Sequence, residues 1–163
     1  MRIGSGWDIH RLTEGRKLVL GGIVVPFTKG EEAHSDGDVL IHAVIDALFG
    51  ALSMGDIGTH FPPGDPAYRD ISSTVLLEKA VLMVHTAGFF ISNIDSTIIL
   101  EKPKLKMYIP EMVQKLSAIL EVEPENVSVK AKTGEGLGPV GEGNAVEARA
   151  VVLLEEKDES VWV

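Results

Sequence analysis

Apolar and polar positions along this chain follow the helical period over one long stretch. A helix is predicted from about residue 39 to about residue 52, because apolar residues occupy most positions of each turn. Asp38 is a good N-cap for it, since its carboxylate can accept from the free N–H groups of the first turn. Asp38, His42 and Asp46 recur every four residues and form one polar stripe on this apolar helix. Buried imidazoles and carboxylates need partners, so the stripe indicates a ligand, a metal or a hydrogen-bond network.

The remaining elements are shorter and are bounded by turn-forming residues. Strands are predicted over residues 2–10, 91–100, 126–133 and 145–154, with a β-hairpin over residues 17–26. Two further helices are predicted, from residue 72 or 73 to about residue 87 and from residue 110 to about residue 120. The residues predicted to face the core in the first of these are Val75, Leu76, Val81, Leu82 and Val84. Stretches 55–66 and 134–143 are rich in glycine or proline, so loops are predicted there.

This order of elements predicts an α+β fold with a single domain. One mixed β-sheet carries about three helices on one face, as a two-layer sandwich, and a small β-hairpin lies beside it. The chain has 163 residues, which is enough for one domain with a core of its own. We expect residues 1–154 to form the catalytic domain and residues 155–163 to be a charged, disordered tail.

Composition and charge narrow the classes of partner. With 15 Lys+Arg against 24 Asp+Glu, the net charge is −9, which argues against nonspecific binding of nucleic acid or anionic membranes. The chain has no cysteine, which excludes disulfides, thiolate metal sites and a cysteine nucleophile. No secretory leader opens the sequence, and no apolar run approaches the ~20 residues that a membrane span needs. We therefore expect a cytoplasmic protein.

Asp8, His10 and His42 are the candidate metal ligands. Asp8 and His10 are two residues apart in a predicted strand and so point to the same face, while the helix supplies His42. Two histidines and one carboxylate leave a fourth position open, as in catalytic rather than structural zinc sites. Asp38 or Asp46 could fix the tautomer of an imidazole. The alternative is that the first two are ordinary strand residues and His42 is a hydrogen-bonded core histidine.

Other polar residues are candidates for binding an anionic substrate. His34 and Ser35 precede the predicted helix, whose free N–H groups and dipole attract anions, although a simple turn is equally compatible. Asp56 could bind hydroxyls of a polyol, or it could be a turn carboxylate. Glu135 could ligate Mg²⁺ or Mn²⁺ that bridges phosphates, or it could be an exposed loop acid. Lysines that could face a diphosphate, or only solvent, are Lys102, Lys104, Lys130 and Lys132.

Taken together, these motifs resemble one enzyme family, the 2-C-methyl-D-erythritol 2,4-cyclodiphosphate synthases of the non-mevalonate isoprenoid pathway. The resemblance runs from residue 1 to about residue 154, and its motifs are highly specific as a set. They are Arg2-Ile-Gly-Ser-Gly-Trp-Asp-Ile-His10, Gly21-Gly22, Ala33-His-Ser-Asp-Gly-Asp38 with His42 and Asp46, Gly55-Asp-Ile-Gly58 with Phe61-Pro62, Pro103-Lys104, and Lys130-Ala-Lys-Thr-Gly-Glu135 with Leu137-Gly138.

The resemblance implies a metal-dependent phosphorus–oxygen lyase. Such an enzyme converts 4-diphosphocytidyl-2-C-methyl-D-erythritol 2-phosphate to 2-C-methyl-D-erythritol 2,4-cyclodiphosphate and CMP. The resemblance places Zn²⁺ or Mn²⁺ on Asp8, His10 and His42. It places a second ion, Mg²⁺ or Mn²⁺, on Glu135 together with the substrate diphosphate.

The resemblance also implies roles for residues around the phosphates and the two ends of the substrate. The residues expected to stabilise the reacting phosphates are His34, Thr133 and Lys132. The other expected substrate-binding residues are Ile9, Ser35, Asp46, Asp56, Ile57, Gly58, Phe61, Pro62, Pro63, Gly64, Asp65, Leu100, Pro103, Lys104, Leu105, Lys106 and Ala131.

Members of this family are homotrimers whose active sites lie between neighbouring subunits, so a homotrimer is expected here. The family often has a basic residue just before the Gly-Glu-Gly of its last loop, at the central channel of the trimer. Residues 138–143 of this chain form a shorter loop without one. Two alternatives stay open: a trimeric metal- or nucleotide-binding regulatory protein without turnover, and a metal-dependent phosphatase that releases inorganic phosphate.

Overall fold

The protein folds around one mixed β-sheet, as predicted from the order of its elements. A computed structural model describes residues 1–157; of the tail predicted over residues 155–163, the part from residue 158 onward lies outside the described residues. The strands are β1 (Arg2–Glu14), β2 (Leu18–Leu20), β3 (Ile23–Val25), β4 (Lys29–Glu31), β5 (Phe89–Ile99), β6 (Val127–Lys132) and β7 (Ala145–Glu156). The α-helices are α1 (Val39–Ala51), α2 (Ile57–His60), α3 (Ser73–Thr86), α4 (Ile109–Leu120) and α5 (Gly138–Gly141).

Five strands form the main sheet in the order β4-β1-β7-β5-β6, and β2 with β3 forms the predicted hairpin. All neighbours in the main sheet are antiparallel except β5 and β6. The last strand continues two residues beyond the predicted end at Leu154, because Glu156 still pairs with Phe89. The Met1 ammonium lies 4.0 Å from the Glu156 carboxylate, so both described ends of the chain meet at one end of the sheet.

Helix α1 packs against β1 and β7 and is buried along most of its length. Gly4 and Gly6 make this close approach possible. A methyl group at Gly6 would overlap the carbonyl oxygen of Ala43 and lie 2.8 Å from the backbone nitrogen of Ala47. Because β1 also carries Asp8 and His10, the same close packing brings His42 of α1 beside them.

Some sequence-based predictions of local structure are wrong. Stretch 55–66 contains α2, whose first turn is capped by Asp56, and a 3₁₀ turn begins at Pro66. Stretch 134–143 contains α5. Val75 and Leu82 are exposed rather than buried, since α3 turns only a narrow stripe toward α1. The edge strand β4 was not predicted, because its three residues have no apolar run. None of the helices within residues 1–157 is long and apolar enough to span a membrane.

Two fully buried carboxyl groups join the hairpin to the start of α1. The Asp38 carboxylate accepts from the N–H of Ile41 and from both glycines of the β2–β3 turn, so it caps the helix and anchors the hairpin. Glu31 accepts from the backbone N–H groups of Val19 and Val39 at 3.2 and 3.4 Å. Burial raises the pKa of Glu31 well above its ordinary value and raises the pKa of Asp38 to about 6.

We expect the free energy of unfolding to fall as the pH rises above about 4, with the contribution of Asp38 lost by about pH 6 and that of Glu31 lost at higher pH than for an ordinary glutamate. A raised carboxyl pKa means that the folded protein holds the proton more tightly than the unfolded chain. The stabilisation is therefore complete below the unfolded pKa and is lost as the pH passes the folded pKa. For Asp38, a shift from 3.8 to about 6 corresponds to about 3 kcal/mol.

Glu31→Gln cannot ionise at this position, so its stability should fall less steeply over the same pH range. Urea unfolding of the metal-free protein in chelator, at fixed protein concentration, measures both slopes. Identical slopes for the two proteins would show that Glu31 does not exchange a proton on unfolding.

Candidate active site

Asp8, His10 and His42 bring three possible ligand atoms together, as the sequence predicts. The Oδ2 atom of Asp8 lies 3.3 Å from Nε2 of His10 and 3.1 Å from Nδ1 of His42. All three ligand atoms lie within 4.8 Å of one another. The two imidazole rings are nearly perpendicular, at 87°, with centroids 5.1 Å apart. This group can hold one metal ion.

In each of the two imidazoles, one nitrogen has a hydrogen-bond partner outside the metal group, which leaves the other nitrogen to bind a metal. Nδ1 of His10 lies 2.8 Å from the carbonyl oxygen of Gly37 and donates to it, leaving the Nε2 lone pair for a ligand bond. Burial lowers the pKa of the His10 imidazole from its usual 6.5, against the opposing attraction of Asp8. Nε2 of His42 lies 3.0 Å from the Ser73 hydroxyl and 3.3 Å from the Ser35 hydroxyl. Neutral imidazoles with one free nitrogen each are the form that binds a metal.

Neither of the aspartates proposed to orient an imidazole does so. The Asp38 carboxylate is used by the hairpin turn and the first turn of α1. Asp46 accepts from the backbone N–H of Ile57 at 2.7 Å, and burial raises the pKa of its carboxyl. The three residues of the polar stripe therefore have separate roles: Asp38 caps α1, His42 is a candidate metal ligand, and Asp46 holds the first residue of α2.

A cavity of about 300 Å³ opens over the candidate metal ligands. The predicted site residues among its lining are Asp8, His10, His34, Ser35, His42, Ile57, Gly58, Phe61 and Pro63. The lining residues that were not predicted for the site are Glu32, Ala33, Tyr68, Ile71 and Leu76. The apolar period around Leu76 indicates only that this side of the helix faces the core. Nothing in the sequence indicates that Leu76 also borders a cavity.

His34 is exposed at this cavity on a turn that four hydrogen bonds hold. The Arg16 guanidinium donates to both carbonyl groups that flank His34, at 3.3 and 3.1 Å. The His34 carbonyl accepts from Asp70 at 2.7 Å, and the N–H of Asp36 donates to Ile71 at 3.1 Å. The turn is therefore fixed from both sides. Sequence analysis missed the contribution of Arg16, which lies 17 residues from its nearer partner.

A second cavity, also of about 300 Å³, lies between the end of β6 and the segment after β5. Its lining residues are Leu100, Pro103, Lys104, Leu105, Lys106, Ile109, Ala131, Lys132 and Thr133. All of them except Ile109 were predicted, either to stabilise the reacting phosphates or to bind the substrate. Of the other candidate lysines, Lys102 is exposed outside the lining, and Lys130 pairs with Asp95 at 2.6 Å. The hydrogen bond from Lys130 lowers the pKa of the Asp95 carboxyl.

Several predicted site residues lie outside both cavities. Ile9 points to the opposite face of the sheet from its neighbours in the motif, and only its N–H binds the Asp8 carboxylate, at 2.8 Å. Pro62 is exposed beside the first cavity. Gly64 and Asp65 border a separate hollow that His34 also lines.

Asp56 and Glu135 are exposed acids held by neighbouring side chains. Asp56 accepts from the N–H and the hydroxyl of Thr59, and these hydrogen bonds lower the pKa of its carboxyl. Glu135 accepts from the Thr133 hydroxyl at 2.6 Å. Glu135 therefore lies next to a residue of the second cavity, and Asp56 next to residues of the first.

The chain is similar to known proteins over nearly its whole length. The model of the YgbB family matches residues 1–155. A 2-C-methyl-D-erythritol 2,4-cyclodiphosphate synthase from Gloeobacter violaceus is 53% identical over 156 residues, which is 96% of each chain. A synthase of the same name from Laribacter hongkongensis is 52% identical over 96% of this chain and 97% of its own.

Solved structures show the same fold. A 2C-methyl-D-erythritol-2,4-cyclodiphosphate synthase in a CDP-bound form matches with a TM-score of 0.88 and 41% identity, covering 94% of this chain and all of its own. The bifunctional IspDF from Campylobacter jejuni matches with a TM-score of 0.93 and 36% identity, covering 96% of this chain but 42% of its own. The chain therefore belongs to the YgbB family, the family of the 2-C-methyl-D-erythritol 2,4-cyclodiphosphate synthases.

Proposed function

We propose that this protein closes the eight-membered ring of 2-C-methyl-D-erythritol 2,4-cyclodiphosphate, the reaction for which its relatives are named. An oxygen of the substrate's own 2-phosphate bonds to the β-phosphorus. The bond from that phosphorus to the oxygen bridging to the α-phosphorus breaks, and CMP leaves with that oxygen. The step is intramolecular and needs no protein nucleophile, so catalysis consists of folding the substrate and offsetting its charge. The observation that carries the proposal is the Asp8–His10–His42 group facing a cavity that His34 also lines.

We assign the first metal to Asp8, His10 and His42, as Zn²⁺ or Mn²⁺. The donor set supports this choice, because both histidines offer a free nitrogen while their second nitrogen is hydrogen-bonded. When bound, such an ion polarises a phosphate oxygen and offsets its charge. The chain's own residues bind and orient the substrate: the His34 imidazole, exposed at the cavity, is placed to donate to a phosphate oxygen.

We assign the phosphate-stabilising role at the other end of the substrate to Thr133, Lys132 and Glu135. Thr133 and Lys132 line the second cavity together with two further lysines, which gives this acidic protein a local cluster of cations. The carboxylate of Glu135 lies 2.6 Å from the Thr133 hydroxyl and offers oxygen ligands of the kind that Mg²⁺ or Mn²⁺ prefers. Offsetting the charge on the departing CMP is the chemical contribution of this cluster.

We further propose that the protein is a homotrimer with each active site built from two subunits. No residue lines both cavities, so each described subunit carries two separate half-sites. The sheet face opposite α1 exposes a large apolar surface, with Ile3 70%, Trp7 53% and Val151 47% exposed. An apolar face of this kind on a soluble enzyme indicates an interface between copies.

Trp7→Glu should convert the trimer to monomers, because it places a charge in the centre of the proposed interface. Leu82→Glu is the matched control: Leu82 is 65% exposed, but it lies on α3 behind the other face of the sheet. Sedimentation velocity measures the assembly of both variants. A Trp7→Glu protein that stays trimeric would place the interface elsewhere, and loss of assembly in both variants would argue for a general effect of the added charge.

The activity itself is tested by phosphorus NMR of the purified protein with 4-diphosphocytidyl-2-C-methyl-D-erythritol 2-phosphate, Zn²⁺ and Mg²⁺. Formation of CMP with a new pair of coupled diphosphate resonances, without inorganic phosphate, supports the synthase. Release of inorganic phosphate would instead identify a phosphatase. An unchanged substrate with folded, metal-loaded protein would favour a binding protein without turnover.

A further inference from the structure

A chain of hydrogen bonds connects His42 to a carboxylate outside the candidate metal group. Nε2 of His42 lies 3.0 Å from the Ser73 hydroxyl, which is completely buried at the first residue of α3. The Ser73 hydroxyl donates to Oδ1 of Asp36, and the backbone N–H of Ser73 donates to Oδ2 of the same carboxylate at 3.0 Å. Asp36 and Ser73 thus face His42 from the side opposite Asp8.

The direction of these hydrogen bonds determines which nitrogen of His42 carries the proton. An ionised carboxylate only accepts, so the hydroxyl hydrogen of Ser73 is committed to Asp36. The Ser73 oxygen then has only lone pairs to offer to His42, and Nε2 must donate to it. The other nitrogen, Nδ1, is left with its lone pair directed toward Asp8. With the opposite tautomer, the lone pairs of Nε2 and of the Ser73 oxygen would face each other in a buried space. The Asp8 carboxylate lies 3.1 Å from Nδ1 and favours that opposite tautomer when no cation lies between them, so the Ser73 contact opposes Asp8 in metal-free protein and acts alone where Asp8 is removed.

We propose that Ser73 and Asp36 are positioning residues for His42: together they fix its Nε2–H tautomer and aim Nδ1 at the site shared with Asp8 and His10. The inference rests on the proposed metal site for its functional meaning, while the tautomer itself can be observed without a metal. Ser35, whose hydroxyl is 3.3 Å from Nε2 and accepts from the N–H of Gly37, can either accept from or donate to Nε2, so it does not itself select a tautomer.

The first test uses metal-free Asp8→Ala protein, which lacks the competing acceptor on Nδ1, with ¹⁵N-labelled histidine at mildly alkaline pH. Long-range ¹H–¹⁵N spectra distinguish a proton on Nε2 from one on Nδ1. We expect His42 of the Asp8→Ala protein to be the Nε2–H form, and the same protein with Ser73→Ala added to show a mixture of both tautomers. Ser96→Ala is the matched control, since Ser96 is also a buried serine with one hydrogen bond, to the Ser128 carbonyl at 2.8 Å. It should leave the His42 signals unchanged.

The second test measures Zn²⁺ affinity by competition with a chromophoric chelator. Ser73→Ala and Asp36→Asn should each weaken binding by about 10- to 100-fold, the range typical of residues that orient a metal ligand. Ser96→Ala should stay within about twofold of the unmodified protein. Thermal unfolding of all the variants separates loss of affinity from loss of stability, because a merely structural serine would lower stability without moving the tautomer.

The outcomes separate this inference from the proposed function. An Nδ1–H form of His42 in the Asp8→Ala protein overturns the inference directly, even if Ser73→Ala fails to fold. Unchanged tautomer and Zn²⁺ affinity in both Ser73→Ala and Asp36→Asn would also overturn it and reduce the pair to a structural contact. Failure of the unmodified protein to bind Zn²⁺ would instead overturn the metal assignment, while the NMR result on the tautomer would still hold.

Discussion

The His42→Ala variant is expected to lose its bound metal and to turn over substrate slower by a factor on the order of 10³, while keeping its fold. Alanine leaves two protein ligands where a catalytic zinc site uses three. The cost in stability is small, about 1–2 kcal/mol, because the lost hydrogen bonds to Ser35 and Ser73 border a cavity where water can replace the imidazole.

Metal content after dialysis against a chelator, CMP formation and circular dichroism test this expectation together. His85→Ala serves as the control histidine, since His85 lies on α3 and its nearest acid is Glu121, at 3.7 Å. It should keep both metal and activity. Full activity of His42→Ala in chelator-treated buffer would show that the metal site has been placed on the wrong residues.

Gly6→Ala should destabilise the protein by about 3 kcal/mol or more, the upper end of the cost of overpacking. The added methyl group meets backbone atoms of α1 at Ala43 and Ala47, and a backbone in a helix cannot turn aside as a side chain can. The helix must move away from β1. Activity should fall as well, because that movement separates His42 from the two ligands on the strand.

Gly50→Ala is the matched control for this packing, because it adds the same methyl group to the same helix–strand interface. Its new Cβ would lie 3.7 Å from the Ser5 carbonyl oxygen, which is ordinary contact. Removing a helical glycine there should stabilise the protein by up to about 1 kcal/mol. Urea unfolding compares the two variants. A Gly6→Ala protein as stable as the unmodified one would mean that the strand and helix are not packed as closely as the structure indicates.

The elements that could be predicted from sequence are those with a local cause. The apolar period of α1, the paired glycines of the hairpin and the Asp-x-His pattern on β1 are all visible within ten residues or so. The short helix α2 also had a local signal that sequence analysis missed, since Asp56 and Thr59 are spaced as a cap and its partner.

Other features have no local cause and could not be predicted. A glutamate in a polar stretch such as the one around Glu31 is expected to be exposed. Glu31 is instead fully buried, because three segments of the chain meet around it. The sequence around Ser73 indicates only the start of a helix. Its hydroxyl nevertheless forms hydrogen bonds with His42 and Asp36, which lie 31 and 37 positions earlier in the chain. Contacts of this kind exist only after the chain has folded, so neither periodicity nor spacing carries a sign of them.

The meeting of Met1 and Glu156 at one end of the sheet has a consequence for how this fold can be built into larger proteins. Arg2 pairs with Leu154 at that end, whereas His10 pairs with Val146 near the other, and eight residues of strand span roughly 26 Å. A linker attached at Met1 or at Glu156 would therefore extend from the protein surface far from the mouth of the first cavity. We therefore expect that the domain can be joined to a second enzyme from either side without blocking the access route to the first cavity.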